Sequence, residues 1–213
     1  MSSIADIRKD YKLKALSEEE AQKDPIRQFT IWWQEAIASQ LDEVNAMTLA
    51  TASTDGIPDA RIVLLKEYDQ QGFVFFTNYT STKGQQLEAN PHATLVFFWK
   101  ELERQVRISG TVTHVSDAES DAYYNSRPEG SRIGAWASPQ SQPIENREWL
   151  DQEDLKYREL FRAQPITRPD HWGGYRVQPQ HIEFWQGRPS RLHDRLYYAL
   201  DQQGNWSMKR LAP

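Results

Sequence analysis

Ala46-Met47-Thr48-Leu49-Ala50-Thr51-Ala52-Ser53, Ala60-Arg61-Ile62-Val63-Leu64-Leu65-Lys66 and Gly72-Phe73-Val74-Phe75-Phe76-Thr77 are three short runs of strand-forming residues. Thr54-Asp55-Gly56 and Asp69-Gln70-Gln71-Gly72 lie between them and carry turn chemistry. Three strands joined by tight turns predict an antiparallel meander, and with it a barrel or sandwich. Downstream, Ser81 to Asn90 reads as a short helix with Ser81 as its cap and Asn90-Pro91 as its stop. Ala93 to Trp99 and Gln105 to Val115 read as further strands. Ser116-Asp117-Ala118-Glu119 has the form of a capping box that opens a helix to about Ser126. The polar stretch from Pro128 to Pro143 reads as a loop, and the charged stretch from Glu145 to Arg162 as a helix. Four more strands are expected at His171 to Val177, His181 to Trp185, Leu196 to Leu200 and Trp206 to Leu211.

Upstream of the strands, Asp24-Pro25 is a helix start, with Asp as N-cap and Pro in the first turn. Ile26, Phe29, Trp33, Ile37 and Leu41 recur at helical spacing and predict the face this helix lays on a core. Residues 1–23 are highly charged and only weakly periodic. They read as a short helix around Ile4 to Tyr11 followed by a mobile connector. The expected organisation is that N-terminal segment and a single domain over 24–213, mainly β with peripheral α-helices.

Composition narrows the function. Apolar residues at 38% and charged residues at 26% are ordinary for a globular chain, which argues against wholesale disorder. Eight Trp favour a β-rich core or a site for a flat ligand. The net charge of −5 lacks the basic excess of a nucleic-acid binder, so any phosphate recognition is local. With no cysteine, disulfides and thiolate chemistry are excluded. The first ten residues lack the apolar core of a signal peptide, and no apolar run reaches membrane-spanning length. A cytoplasmic protein without a membrane partner is expected. The five histidines show no metal-ligand spacing, and no Gly-rich dinucleotide fingerprint, P-loop or G-x-S-x-G elbow occurs. No metal is expected.

Four groups of residues carry candidate chemistry. Trp185 to Arg195 packs Arg188, Arg191, Arg195, His193, Asp194 and Trp185 into a strand, turn and strand. Arg provides a planar fork for phosphate, Trp a face for stacking, and His a proton near neutral pH. On the second strand, Arg61, Val63 and Leu65 share one face, and Ile62, Leu64 and Lys66 the other. Its two cations suit an anion, or equally solvent at the strand ends. Thr77, Ser81, Thr82 and Lys83 lie where a strand turns into a helix N-terminus, a place that favours phosphate but also suits a plain Ser cap. Tyr123 and Arg127, four apart on a helix, with Ser131 beyond, suit one phosphate or a surface Tyr–Arg stack. Gln140-Ser141 could bond a ligand or merely turn.

Taken together the chain resembles the pyridoxine/pyridoxamine 5′-phosphate oxidases. The resemblance runs from about Arg8 to the terminal Arg210-Leu211-Ala212-Pro213. It is carried by Arg61 to Lys66, Glu103-Arg104-Gln105-Val106, Ser126-Arg127-Pro128, Ile133-Gly134-Ala135-Trp136, Gln140-Ser141, Trp172-Gly173-Gly174, Ile182 to Gly187 and Arg191-Leu192-His193-Asp194-Arg195. It implies a split β-barrel homodimer with FMN in clefts at the subunit interface. By position, FMN contacts would come from Arg61, Ile62, Val63, Leu64, Leu65, Lys66, Phe76, Thr77, Thr82, Lys83, Gln105, Gln140, Ser141, Trp185 and Arg195. The substrate phosphate would be held by Lys66, Tyr123, Arg127 and Ser131, with Arg191 and His193 beside the pyridine ring as the catalytic pair. Arg8 and Tyr11 match residues that fold over the substrate as a lid. Thr82 departs from the family's usual Ser-Arg-Lys and loses a guanidinium fork. A lost charged hydrogen bond costs roughly 1.5–3 kcal/mol, so weaker FMN binding, by about tenfold or more, is expected. The implied reaction removes a hydride from the substrate's 4′ carbon to FMN. The alcohol gives the aldehyde pyridoxal 5′-phosphate directly, the amine gives an imine that water then hydrolyses to it, and O2 is reduced to H2O2. A split-barrel flavin reductase for another substrate, and a non-catalytic carrier of FMN or pyridoxal phosphate, are the alternative readings.

Overall fold

The structure is a computed structural model that describes Ile4 and residues 10–213. Arg8, and most of the helix expected from Ile4 to Tyr11, lie outside the described residues.

Nine strands form one antiparallel sheet: β1 (Ala46–Ala52), β2 (Pro58–Leu64), β3 (Glu67–Asp69), β4 (Gly72–Asn78), β5 (His92–Trp99), β6 (Arg104–His114), β7 (Trp172–Gln186), β8 (Asp194–Leu200) and β9 (Trp206–Arg210). Among the described residues five α-helices accompany it: α1 (Pro25–Ala38), α2 (Thr82–Ala89), α3 (Asp117–Ser126), α4 (Glu129–Ala137) and α5 (Arg147–Leu160). The main path is β2-β1-β5-β6-β7-β4-β3, with β8 on β7 and β9 on β8. The 15-residue β7 is the spine. β6 runs along one of its edges, while the other carries β4 against Trp172–Val177 and β8 against His181–Gln186.

Four expectations are corrected. The first three strands are not a meander. β2 pairs with β1 at one end of the sheet, and the run from Gly72 pairs with the short β3 and with β7 at the other. The switch falls at two adjacent residues: the Leu65 N–H donates to the Asn45 carbonyl, closing the β1–β2 ladder, and the Lys66 N–H donates to the Val74 carbonyl, opening the next. Hairpin-like spacing in the sequence conceals that change of partner. Secondly, the two strands expected on either side of Gln178-Pro179-Gln180 are one strand. A register shift at Ser109/Gly110 on β6 absorbs the proline, which has no N–H to donate. Gly110 is required there, since a Cβ would lie 1.9 Å from the Gln178 carbonyl oxygen.

Thirdly, the stretch expected as a loop after Pro128 contains α4. Gly130, Ser131 and Gly134 weaken its intrinsic propensity. Burial of Ile133 and Ala137, and packing of Trp136 against Tyr157 of α5 and its C-cap Phe161, outweigh that. Fourthly, α1 buries Ile26 and Phe29 as expected but then Trp32 and Ala36, leaving Trp33 partly buried and Ile37 52% exposed. The Asp24 carboxylate caps α1 as expected, accepting from the amides of Ile26 and Arg27.

Phe29 is the centre of the core. Its ring meets Phe73 and Tyr68 edge-on, each at 4.9 Å between centroids, and lies 5.3 Å from Phe97. Truncating such a ring costs about 3–5 kcal/mol. The described part of the N-terminal segment crosses the C-terminal strands. The amides of Lys12 and Leu13 donate to Glu103 Oε2 at 2.8 and 3.1 Å, and that of Leu16 to Asp194 Oδ2 at 3.1 Å. Arg210 grips Glu18 through Nε and Nη2 at 2.8 and 2.6 Å.

Candidate active site

Near the start of β7, a cavity of about 490 Å³ is lined by Arg61, Ile62, Val63, Leu64, Lys66, Phe76, Thr77, Lys83, Tyr123, Arg127, Ser131 and Gln140, together with Pro128 and Trp172. All of these except Pro128 and Trp172 were assigned ligand contacts on the resemblance. Each arrives by its own local logic. β2 presents Arg61 inward, where its Nη1 donates to the Leu49 carbonyl and to Thr51 Oγ1, while Asp59 pairs with its Nη2. Ser81 caps α2 by accepting from the Gly84 amide, and so turns Lys83 back under the sheet end. The α3 capping box forms as read from the sequence, but Tyr123 and Arg127 are not both helical as expected: Tyr123 reaches the cavity wall from the last turn of α3, and Arg127 from the extended C-cap just beyond it.

Three cations of this cleft, Lys66, Lys83 and Arg127, show no carboxylate partner among the described residues, whereas Arg61 is paired with Asp59. Lys83 is buried, and its ammonium donates to Gln140 Oε1 at 2.8 Å, Thr77 Oγ1 at 3.3 Å and Ser81 Oγ at 3.4 Å, all neutral oxygens. Burial, then the neighbouring Arg61 charge, lowers its pKa from the usual lysine value. Arg127 has a buried Nη1 with no hydrogen-bond partner among the described residues. Burial pushes its pKa down as well. Its guanidinium carbon stands 4.5 Å from the centre of the Trp172 ring. Lys66 is exposed, with its Nζ 5.8 Å from the Tyr123 ring centre. Buried polar atoms are nearly always satisfied, so an orphaned guanidinium N–H beside a cavity, near an unneutralised ammonium, marks a place for an anion.

A second cluster lies at the far end of β7. Gln105, Trp185 and Arg195 sit side by side on β6, β7 and β8. The His193 ring lies 4.5 Å from Trp185 and 6.1 Å from Tyr11, and Tyr11 meets Trp185 edge-on at 5.8 Å. His193 Nδ1 accepts from the Arg188 amide at 3.1 Å, which leaves the proton of the neutral ring on Nε2. Burial first, and then the Arg191 charge, lowers the His193 pKa, against an opposing pull from Asp194. Ser190 and Arg191 both hold left-handed backbone, φ 57° and 61°. Such conformations cost about 1–3 kcal/mol each and point to a constrained turn. Arg195 is held within the fold: Nε and Nη2 donate to the Glu183 carboxylate at 2.8 and 3.1 Å, and Nη1 to the Ala212 carbonyl at 2.8 Å, which leaves two of its five N–H donors over.

Within one chain these clusters do not meet. Trp172 lines the first and Trp185 belongs to the second, and the strand between them spans roughly 40 Å at its usual rise per residue. Three other sequence candidates fall outside the cavity lining. Leu65 is buried in the core, Thr82 is exposed at the first turn of α2, and Ser141 is exposed with φ 70°. Sequence reasoning missed Trp172 and Pro128 as cleft residues, although both stand in motifs that carry the resemblance.

The cleft, the ring cluster and the curled antiparallel sheet define a split-barrel protein built for a phosphorylated, planar ligand. The chain belongs to the pyridoxamine 5′-phosphate oxidase family. Residues 33–159 match the family's pyridoxamine 5′-phosphate oxidase model, and residues 172–213 match the pyridoxine 5′-phosphate oxidase C-terminal dimerisation region. The chain is 58% identical over 211 residues to the pyridoxine/pyridoxamine 5′-phosphate oxidase of Trichormus variabilis, covering 99% of each. PhzG from Burkholderia lata 383, solved in complex with tetrahydrophenazine-1-carboxylic acid, superposes with a TM-score of 0.88 at 30% identity, over 94% of this chain and 99% of that one. A pyridoxamine 5′-phosphate oxidase-related, FMN binding protein from Nostoc punctiforme has the same fold, with a TM-score of 0.71 at 18% identity over 90% of this chain and 100% of that one. Among the described residues no helix is long and apolar enough to cross a membrane.

Proposed function

We propose that this chain oxidises pyridoxamine 5′-phosphate and pyridoxine 5′-phosphate to pyridoxal 5′-phosphate, with FMN as its cofactor and O2 as the electron acceptor, and that it works as a homodimer. The observation that carries the reading is the pair of uncompensated cations, Lys83 and Arg127, facing one cavity. Two anions are wanted there, and FMN and a phosphorylated substrate bring one each.

FMN suits the residues present. Lys83 is buried among neutral oxygens with Arg61 nearby, so a phosphate monoester would supply the missing negative charge. Arg61, Lys83, Thr77 and Gln140 would hold that end, and Gln105, Trp185 and Arg195 of a second copy would hold the ring system. When bound, FMN supplies the hydride acceptor for the substrate's 4′ carbon and passes the electrons to O2, giving H2O2.

The chain's own residues bind and orient. Lys66, Tyr123, Arg127 and Ser131 fix the substrate phosphate, and so align the reacting carbon, where small misplacements are costly. Arg191 orients the pyridine ring and stabilises charge at its 3-oxygen. His193, with Nδ1 occupied by the Arg188 amide, offers Nε2–H as a donor to the substrate. Tyr11, already against Trp185 and His193, closes over the ring. Because the phosphate clamp and the ring cluster sit at opposite ends of β7, a two-fold dimer is the arrangement that lets one copy's Arg191 and His193 reach the other's clamp. The match of residues 172–213 to a dimerisation region supports that assembly.

The test is direct. FMN-loaded protein given pyridoxamine 5′-phosphate in air should form pyridoxal 5′-phosphate and H2O2 in equal amounts. Tight binding of pyridoxal phosphate without peroxide would point instead to a carrier, and peroxide only with other reductants to a different split-barrel flavoprotein.

A further inference from the structure

Trp172-Gly173-Gly174 belongs to the resemblance, yet no ligand role attaches to it. In the structure these residues open β7 at the floor of the phosphate cleft. Resting on the functional reading above, we propose that Trp172 is the positioning residue of the substrate-phosphate clamp, seating the Arg127 guanidinium on an aromatic face so that its charge and N–H donors stay free for the phosphate.

Among the described residues, two arginines lie over tryptophans, and their surroundings differ. Arg104 stands 4.3 Å from the Trp32 ring centre, but it also donates to Glu35 at 2.6 Å and to Gln186 at 2.9 Å. Its charge is spent inside the fold. Arg127 stands 4.5 Å from the Trp172 ring centre, and among the described residues neither a carboxylate nor any other acceptor meets its buried Nη1. An aromatic face attracts a guanidinium through the ring quadrupole without accepting its N–H bonds. A carboxylate in the same place would neutralise the cation and compete with the incoming phosphate.

Trp172 is held firmly enough for this task. It is buried, pairs with Asn78 in the β4–β7 ladder, and its carbonyl accepts from Arg168 Nη1 at 2.8 Å. Its ring stacks 5.6 Å from Phe76, and Phe76 stacks 4.0 Å from Tyr123, a second member of the clamp. Gly174 makes this stack possible, because a Cβ there would lie 2.7 Å from the Phe76 ring. One buried indole thereby sets Arg127 directly and Tyr123 through Phe76.

The test compares Trp172→Leu and Trp172→Phe as FMN-loaded enzymes on pyridoxamine 5′-phosphate and on unphosphorylated pyridoxamine, with inorganic phosphate as competing inhibitor. Trp172→Leu should raise KM for the phosphorylated substrate, and the inhibition constant of phosphate, by about tenfold, with the loss in KM rather than kcat. Trp172→Phe keeps a ring and should recover most of that, leaving about a threefold rise. In an Arg127→Ala background, Trp172→Leu should add nothing further. The proposal is overturned if Trp172→Leu raises KM equally for both substrates, or by the same factor when Arg127 is already gone. Should the leucine variant not fold, the phenylalanine variant decides by the phosphate inhibition constant alone: a rise supports the proposal and an unchanged constant overturns it. Failure of the functional reading has a different signature. Arg127→Ala would then leave the ratio of the two substrates' KM values where the unmutated enzyme has it, whatever Trp172 does, and the proposal would fall with it.

Discussion

The two ends of β7 handle positive charge in opposite ways. At the Trp172 end, Lys83 and Arg127 face a cavity with neutral or aromatic neighbours. At the Trp185 end, cations are matched inside the fold. Arg195 and Arg107 share the buried Glu183, and Arg210 bridges Glu18 and Asp194. Composition alone does not separate these regions, since both are rich in Arg and aromatic residues. Partnering separates them. Lys83 and Arg127, without carboxylates, are left for ligands, whereas Arg107 and Arg210, with carboxylates, hold side chains and chain segments in place. Arg61, paired with Asp59 yet lining the cleft, and Arg195, paired with Glu183, stand between the two. Arg191, exposed and carried on left-handed backbone, lies at the scaffold end but is the residue proposed there to meet the substrate.

This contrast breaks or sharpens under mutation. The largest effect is expected from Arg191→Ala, since it removes the group proposed to orient the ring. Turnover should fall by about a hundredfold or more. The protein should stay yellow, because FMN retention rests on the cleft; absorbance of the purified variant checks this. Arg127→Ala comes next. Losing a charged hydrogen bond of about 1.5–3 kcal/mol should raise KM by roughly ten- to a hundredfold and lower kcat far less, as steady-state kinetics would reveal. Its thermal stability should be unchanged or improved, because an unsatisfied buried donor disappears with it.

Glu183→Gln should show the reverse pattern. The carboxylate is buried between Arg195 and Arg107, but both partners are partly exposed to screening solvent. A loss of about 1–3 kcal/mol in denaturant unfolding is therefore expected, below the range for a fully buried pair. If Glu183→Gln proved neutral to stability while Arg127→Ala unfolded the protein, the assignment of scaffold and ligand ends would be inverted. The smallest effect belongs to the N-terminal strap. Hydrogen bonds from Arg210 hold the Glu18 carboxyl down from 4.5 to about 2. A depressed carboxylate contributes stability that is present above its unfolded value and lost as pH falls through the folded one. The strap should therefore loosen between about pH 4.5 and 2. Faster amide exchange at Leu13 and Leu16 in that window, ahead of the β6–β7 core, would record it, and Glu18→Gln should reproduce it at neutral pH.

Local rules carried much of the fold. Asp24 and Pro25 start α1, Ser81 caps α2, and the Ser116/Glu119 capping box opens α3, because each signal acts within one helical turn. Alternation along β2 separated the faces less well: Ile62, Leu64 and Lys66 line the cleft beside Arg61 and Val63, while Leu65, just past the strand, turns into the core. What local rules missed depends on contacts far along the chain. α4 forms because Ile133, Trp136 and Ala137 find partners, against a glycine-bearing sequence. β7 stays whole across Pro179 because β6 shifts register opposite it. The switch between Leu65 and Lys66 is an exchange of hydrogen-bond partners that no hydrophobic pattern encodes.

The candidate site divides the same way. Which residue types bind phosphate and stack on rings was legible in the motifs from Arg61 to Lys66, from Tyr123 to Ser131 and from Trp185 to Arg195, because side-chain chemistry travels with residue identity. Which cations remain free was not, because neutralisation is a property of neighbours. The sequence could name Arg127 and Arg195 as equals. Only the folded chain gives Arg195 to Glu183, leaves Arg127 over an indole with an unsatisfied N–H, and sets the two at opposite ends of one long strand.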